Sequence, residues 1–375
     1  MQLSGLLQLL LIGLIAASGP LAYAWARRHC GARKLAWIIV FFTFDLILFG
    51  AFTRLTDSGL GCPDWPGCYG SSNPLAAHAD IRLAESAMPT GPVTVAKAWI
   101  EMIHRYLAMG VGVLLIALTA LAWKQRRSAE VSPWGATGLL ALVCVQGAFG
   151  AWTVTLKLMP LVVTVHLLLA ILLLSALGWS AMQRVPGELP PQGLAALRVP
   201  IALVWGLLFV QIALGGWVST NYAVLACPDF PLCHGALVPP KADFGSGFQL
   251  LRPLGVLQDG THLPVEALVA IHWAHRAFAL VVVAAVVWLG LAVRRAMAAD
   301  DLSAKLARGL LALVVLQVLT GISNVVFAWP IVVAVLHNGG AAAMALLLAL
   351  LHAQATASGA VTQASRTSDT MAVSA

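Results

Sequence analysis

Apolar runs long enough to cross a bilayer recur along this chain, and they leave it little choice of fold. A helix rises 1.5 Å per residue, so about 20 apolar residues reach across the hydrocarbon core. Such runs occupy 3–25, 35–54, 97–123, 134–156, 160–182, 199–220, 265–293, 306–329 and 331–354. Charged residues make up only 10% of the chain, against about a quarter in a soluble domain. The expectation is an all-α integral membrane protein.

Short loops rich in Lys and Arg stay on the cytoplasmic side. Arg27, Arg28, Arg33 and Lys34 follow the first run, and Lys124, Arg126 and Arg127 follow the third. Arg184 and Arg198 lie between the fifth and sixth, and Arg294, Arg295, Lys305 and Arg308 follow the seventh. All four loops fall on one side, so the loops carrying Cys62, Cys68, Cys227 and Cys233 fall on the other, extracytoplasmic one. The net charge of +7 is therefore mostly a topology signal, and no basic patch interleaved with aromatics points to nucleic acid. Ala22-Tyr23-Ala24 resembles a signal cleavage site, but no basic n-region precedes it and a basic cluster follows. Residues 1–34 are read as an extra N-terminal transmembrane helix with its basic loop, and 355–375 as a disordered tail.

The chain repeats itself. His104, Arg105, Gln146, Gly150 and His166 recur 171 residues later as His275, Arg276, Gln317, Gly321 and His337. Upstream, Gly50 and the loop Cys62-Pro63-Asp64-Trp65-Pro66-Gly67-Cys68 recur 165 residues later as Gly215 and Cys227-Pro228-Asp229-Phe230-Pro231-Leu232-Cys233. Each repeat holds four spans, an even number, so the halves are related by an axis along the membrane normal. This predicts two tandem four-helix transmembrane bundles, 35–182 and 199–354, joined by a linker at 183–198.

Ionisable residues inside such helices are costly and tend to mark function. Of the ten histidines, His104, His166, His275 and His337 stand at repeat-related positions, at a common depth of about 10 Å from the Cys-loop ends. Two imidazoles at one level on two helices can reach a shared axis, the geometry of a bis-imidazole heme in a bundle core. Zinc fits less well because it usually takes three or four ligands. The bland alternative is a buried histidine hydrogen-bonded to a neighbouring helix. His272 points into the second bundle one turn before His275, as a hydrogen-bonding partner more than a ligand. Arg105 and Arg276 point about 100° away from their histidines, toward heme propionates or snorkelling to the interface.

The two C-x5-C loops face an oxidising exterior, which predicts the disulfides Cys62–Cys68 and Cys227–Cys233. A clamp over the buried site and a redox relay are both open readings. Cys30 and Cys144 are read as unpaired. Glu101 sits one turn before His104 in Glu101-x-x-His104-Arg105, and the second half has His272 in its place.

These features together resemble the heme A synthase family. The resemblance covers nearly all of 35–354 and is carried by Glu101-x-x-His104-Arg105, by His166, His275 and His337, and by the two Cys-Pro-Asp-aromatic-Pro-x-Cys loops. It implies that the N-terminal bundle takes heme O as substrate at His104 and His166, with Arg105 nearby. The C-terminal bundle would hold a heme b cofactor at His275 and His337, with Arg276 nearby. The implied reaction oxidises a ring methyl group to a formyl group, giving heme A for terminal oxidase assembly in a bacterial-type cell membrane. Glu101 is then the expected catalytic residue, accepting a proton or stabilising positive charge at the methyl group. Membrane lipid, an electron donor, heme O synthase for handover and a homo-oligomer are the expected partners. A diheme b-type electron carrier and a proton-coupled parallel-repeat transporter are the alternatives; the carrier gives no reason for a carboxylate in one half only.

Overall fold

A computed structural model describes residues 13–15, 17–20, 22, 31–127, 130–183 and 189–356. Among them are eight helices long and apolar enough to cross a membrane. These are α1 (Ala32–Leu55), α2 (Val95–Lys124), α3 (Pro133–Thr155), α4 (Pro160–Met182), α5 (Arg198–Thr220), α6 (Val265–Ala296), α7 (Leu302–Val326) and α8 (Ile331–Ala355). The protein is an all-α integral membrane protein. Most of the first apolar run, Arg27, Arg28, Cys30, residues 184–188 of the linker and the tail after 356 lie outside the described residues.

Local chemistry sets the helix ends. The Thr94 hydroxyl accepts from Lys97 N at 3.2 Å to cap α2, Ser132 caps α3 ahead of a proline in its first turn, and Asp301 accepts from Ser303 N at 2.6 Å to cap α7. Side-chain caps of this kind satisfy amide donors that the helix itself cannot. The turns out of α3 and α7 both pass through two left-handed residues, Lys157 and Leu158 in one and Ala328 and Trp329 in the other. The repeat thus extends to backbone conformations that L-residues seldom adopt.

Helices α1–α4 close a ring in which α1 packs on α2, α2 on α3, α3 on α4 and α4 on α1; α5–α8 close a second ring in the same order. The halves meet through α4 and α8, which are repeat equivalents, flanked by α1 against α8 and α4 against α5. That is the contact pattern of a pseudo-two-fold axis. The main apolar core fills the half of the bundle nearest the basic loops. It is built from Leu35 and Ile39 of α1, Leu114 and Leu118 of α2, Leu174 and Leu177 of α4 and their counterparts such as Leu289 and Leu348. Burial of aliphatic side chains at this density makes the lower half a solid, close-packed floor. The histidines lie above it, toward the Cys loops.

Candidate functional site

Each half offers two imidazoles and two glycines from four different helices. His104 of α2 faces Gly50 of α1, and His166 of α4 faces Gly150 of α3; His275 of α6 faces Gly215 of α5, and His337 of α8 faces Gly321 of α7. A Cβ on Gly50, Gly150, Gly215 or Gly321 would stand 3.0, 3.2, 3.0 or 3.3 Å from the Cε1 of its histidine. Each ring is therefore lodged against bare helix backbone, in a space that any side chain would fill. The sequence showed these glycines only as landmarks of the repeat; their role as cradles required the packing of neighbouring helices.

Within each half the two rings are close enough to interact electrostatically, His104 with His166 and His275 with His337. All four are half-buried. Among the described residues no group of three or more His, Cys, Asp and Glu side chains gathers to hold a metal ion, so the candidate ligands come as pairs. Phe49 stacks on His104 with ring centroids 6.3 Å apart. A pair of imidazoles with glycine at their backs and apolar walls suits a flat macrocycle ligated on both faces. His104 Nδ1 and His166 Nδ1 are buried without a hydrogen-bond partner.

Above each pair sits a Cys loop. Both disulfides form, Cys62–Cys68 and Cys227–Cys233. Trp65-Pro66 and Phe230-Pro231 are both cis. After each second cysteine the chain reverses through Tyr69-Gly70 or His234-Gly235, all four with positive φ, closed by reciprocal backbone bonds of Cys68 with Ser71 and of Cys233 with Ala236. This is a type I′ turn, for which glycine at the second central position is the favoured residue. Asp64 accepts from Tyr69 N at 2.6 Å and Gly70 N at 2.7 Å, and Asp229 accepts from His234 N at 2.7 Å and Gly235 N at 2.8 Å. The amides of Gly235 and His234 hold the Asp229 carboxyl below the usual carboxylate range.

The two arginines turn toward these loops. Arg105 donates through Nη1 to the carbonyls of Asp64 at 3.0 Å and Pro66 at 3.2 Å. Arg276 donates through Nη1 to Asp229 O at 2.7 Å and Leu232 O at 3.0 Å, and through Nη2 to Cys227 O at 2.6 Å. Helical periodicity places these side chains on a face but cannot reveal a loop folded over it. Glu101 Oε1 is paired with Arg105 Nη2, and Oε2 accepts from Cys62 N at 2.8 Å. His272 stands in the corresponding place in the second half: its Nε2 lies 3.1 Å from Arg276 Nε and its Nδ1 3.3 Å from Cys227 N, and as a neutral imidazole it accepts from one of the two. Glu101 and His272 are both 4% exposed. Each half thus has a buried residue between its arginine and the first cysteine of its loop, and only in the first half is that residue an anion.

Residues 33–351 match the profile of the COX15-CtaA family, described as cytochrome oxidase assembly protein. The chain belongs to that family. Among curated proteins it is similar to the heme A synthase of Shewanella oneidensis, 40% identical over 85% of this chain and 96% of the relative. It is also similar to the heme A synthases of Methylobacterium radiotolerans, 30% identical over 88% of this chain and 90% of the relative, and of Beijerinckia indica, 29% identical over 92% and 98%. The family match covers both Cys loops, both arginines and all four histidines.

Proposed function

We propose that this chain is a heme A synthase, an oxidoreductase that converts a methyl group of heme O to the formyl group of heme A. The observation that carries the reading is the twofold site: two pairs of repeat-related histidines, each ring against a helical glycine, in a chain similar to heme A synthases along nearly its whole length. In this reading the bundle at 35–182 binds substrate heme O between His104 and His166. The bundle at 199–354 holds heme b between His275 and His337, and when bound that cofactor supplies one-electron redox chemistry. The basic loops face the cytoplasm and the Cys loops the exterior, so both heme sites lie in the outer half of the membrane. An electron donor and a heme O synthase that hands over the substrate complete the expected partners.

Glu101 is the residue assigned to the chemistry. Oxidising C–H to an aldehyde disposes of protons as well as electrons. An anion one turn from His104 can accept a proton or stabilise positive charge developing at the methyl carbon. Its two oxygens are engaged by Arg105 and Cys62 N, which fixes the carboxyl group in place, and a group already fixed needs no reorganisation at the moment of reaction. Arg105 and Arg276 serve through the loops they hold, which roof the two hemes. Heme extracted from cells making Glu101→Gln with heme O available should contain heme O and little heme A, with heme content unchanged. Wild-type amounts of heme A from that variant would remove Glu101 from the mechanism. Heme b alone from the wild-type chain would make the protein an electron carrier.

A further inference from the structure

The two histidine pairs are equivalent in position but not in what holds their rings. In the second half each Nδ1 has a side-chain partner. The side-chain amide of Gln211 of α5 lies against His275, its Nε2 3.1 Å from Nδ1 and its Oε1 without a partner; with the amide turned over, Oε1 accepts from the Nδ1–H that a ring ligating through Nε2 carries, and Thr320 Oγ1 of α7 lies 2.9 Å from His337 Nδ1. Gln211 is also 3.5 Å from His275 Nε2, so the shorter contact is the one at Nδ1.

In the first half the repeat-related positions are Leu46 and Phe149, which offer no hydrogen bond. The Nδ1 atoms of His104 and His166 are buried and unpartnered. The ring of His166 senses the backbone carbonyl of Gln146, as His275 and His337 sense those of Gln211 and Gln317. His166 nevertheless lacks a bond of normal geometry at Nδ1. Gln146 donates to His166 O at 3.0 Å and lies 3.5 Å from Nε2, so it steadies the backbone more than the ring's outer nitrogen. For His104 the position that corresponds to Gln211 is Leu46.

A hydrogen bond at the outer nitrogen of a ligating histidine fixes the tautomer and ring orientation and raises ligand basicity, and its loss typically costs about 10- to 100-fold in metal affinity. We infer that Gln211 and Thr320 are positioning residues that lock His275 and His337 around a resident heme, whereas Leu46 and Phe149 leave His104 and His166 loose enough for a heme to enter and leave. This rests on the assignment of a heme to each half. It adds a physical reason why one half keeps its heme while the other turns it over: the difference lies in two side chains behind the ligands and not in the ligands themselves.

The test uses the full chain loaded with heme b alone, in two backgrounds. His104→Ala with His166→Ala leaves only the second pair, and His275→Ala with His337→Ala leaves only the first. Heme release to excess apomyoglobin is followed by absorbance. The second pair should release heme at least about 10-fold more slowly than the first. Gln211→Leu with Thr320→Val should remove that difference while the low-spin bis-histidine spectrum persists, so that faster release reports loosened ligands and not lost ones. Thr320→Ser should restore part of the retention, and Leu46→Gln in the first pair should slow release. Equal release from the two pairs, or a rate that Gln211→Leu with Thr320→Val leaves unchanged, overturns the inference. Failure of either background to take up heme shows instead that the ligand assignment beneath it is wrong.

Discussion

At the scale of single residues the glycines behind the histidines carry a prediction in which two effects have opposite sign. Replacing a mid-helix glycine by alanine ordinarily stabilises a helix by about 0.5–1 kcal/mol. At Gly215 the new Cβ would stand 3.0 Å from His275 Cε1, closer than normal contact, so the ring has to give. Gly215→Ala should therefore leave the thermal midpoint of the heme-free chain unchanged or raised while heme b retention falls several-fold, measured as heme per protein after gel filtration. A fall in both would mean that the glycine matters for packing and not for the ring. Much at this scale was legible in the sequence. The four histidines announced themselves because costly residues recurred at one depth, and Glu101 because the repeat broke there. What the repeat could not convey is which groups approach a ring from another helix. Gln211 and Thr320 went unnoticed because they have no counterparts in the other half, and the Glu101–Cys62 bond because it joins a helix to a loop.

At the scale of elements each Cys loop is a short hairpin held from below by an arginine on the helix that carries the histidine. The loops are exposed but their sulfurs are not: Cys62, Cys68 and Cys227 are 0% exposed and Cys233 is 1%. Cation-to-carbonyl hydrogen bonds of the kind Arg276 makes are each worth about 1.5–3 kcal/mol, enough to set how often the loop opens. Arg276→Leu should make Cys227–Cys233 reducible by dithiothreitol about 10-fold faster or more, read by alkylation and mass spectrometry, with Cys62–Cys68 unaffected; an unchanged rate would mean that the disulfide is shielded by something other than this clamp. The turn beside it carries a pH dependence. The Asp229 carboxyl is held below its ordinary value by the Gly235 and His234 amides, so its contribution is present at neutral pH and is lost as pH falls through the lowered value. Amide-exchange protection at His234 and Gly235 should be level from pH 7 to about 5 and decline below about 4. Asp229→Asn should abolish that decline, and a decline that survives the substitution would assign it to another group. The disulfides were readable from the spacing of the cysteines. The left-handed Tyr69-Gly70 and His234-Gly235 turns and the arginine clamps were not, because they depend on where the loop lands.

At the scale of the whole molecule the proposed function has electrons pass between the two sites, which requires the halves to be held in one register, and two features hold them. On the Cys-loop side Arg54 donates to Ser219 O at 2.7 Å and to the Tyr222 hydroxyl at 3.0 Å, while that hydroxyl donates to Asp57 Oδ1 at 2.6 Å. Arg54 and Ser219, and Asp57 and Tyr222, are pairs related by the 165-residue offset, so the clasp sits on the pseudo-two-fold axis. Deeper down, association cannot rely on a hydrophobic driving force and depends on close approach at small residues. Gly178 of α4 lets Leu346 of α8 come so near that an added Cβ would collide with Leu346 Cδ1. The colliding atom is the end of a flexible side chain, so Gly178→Ala should be absorbed by a rotamer change. Gly178→Leu adds a bulk that the α4–α8 seam cannot take up, and overpacking of that kind costs about 1–3 kcal/mol. Gly147 of α3 is the matched control: it is exposed, with nothing within 4 Å of its built Cβ. Thermal unfolding in one detergent should show Gly178→Leu lowered by several degrees and Gly147→Leu unchanged. Heme A formation in Gly178→Leu should fall while each half still binds its heme, since the substitution leaves both histidine pairs intact and disturbs only their relation. Equal effects at the two glycines would mean that the cost is not specific to this packing and would remove the α4–α8 seam from the account of how the halves work together.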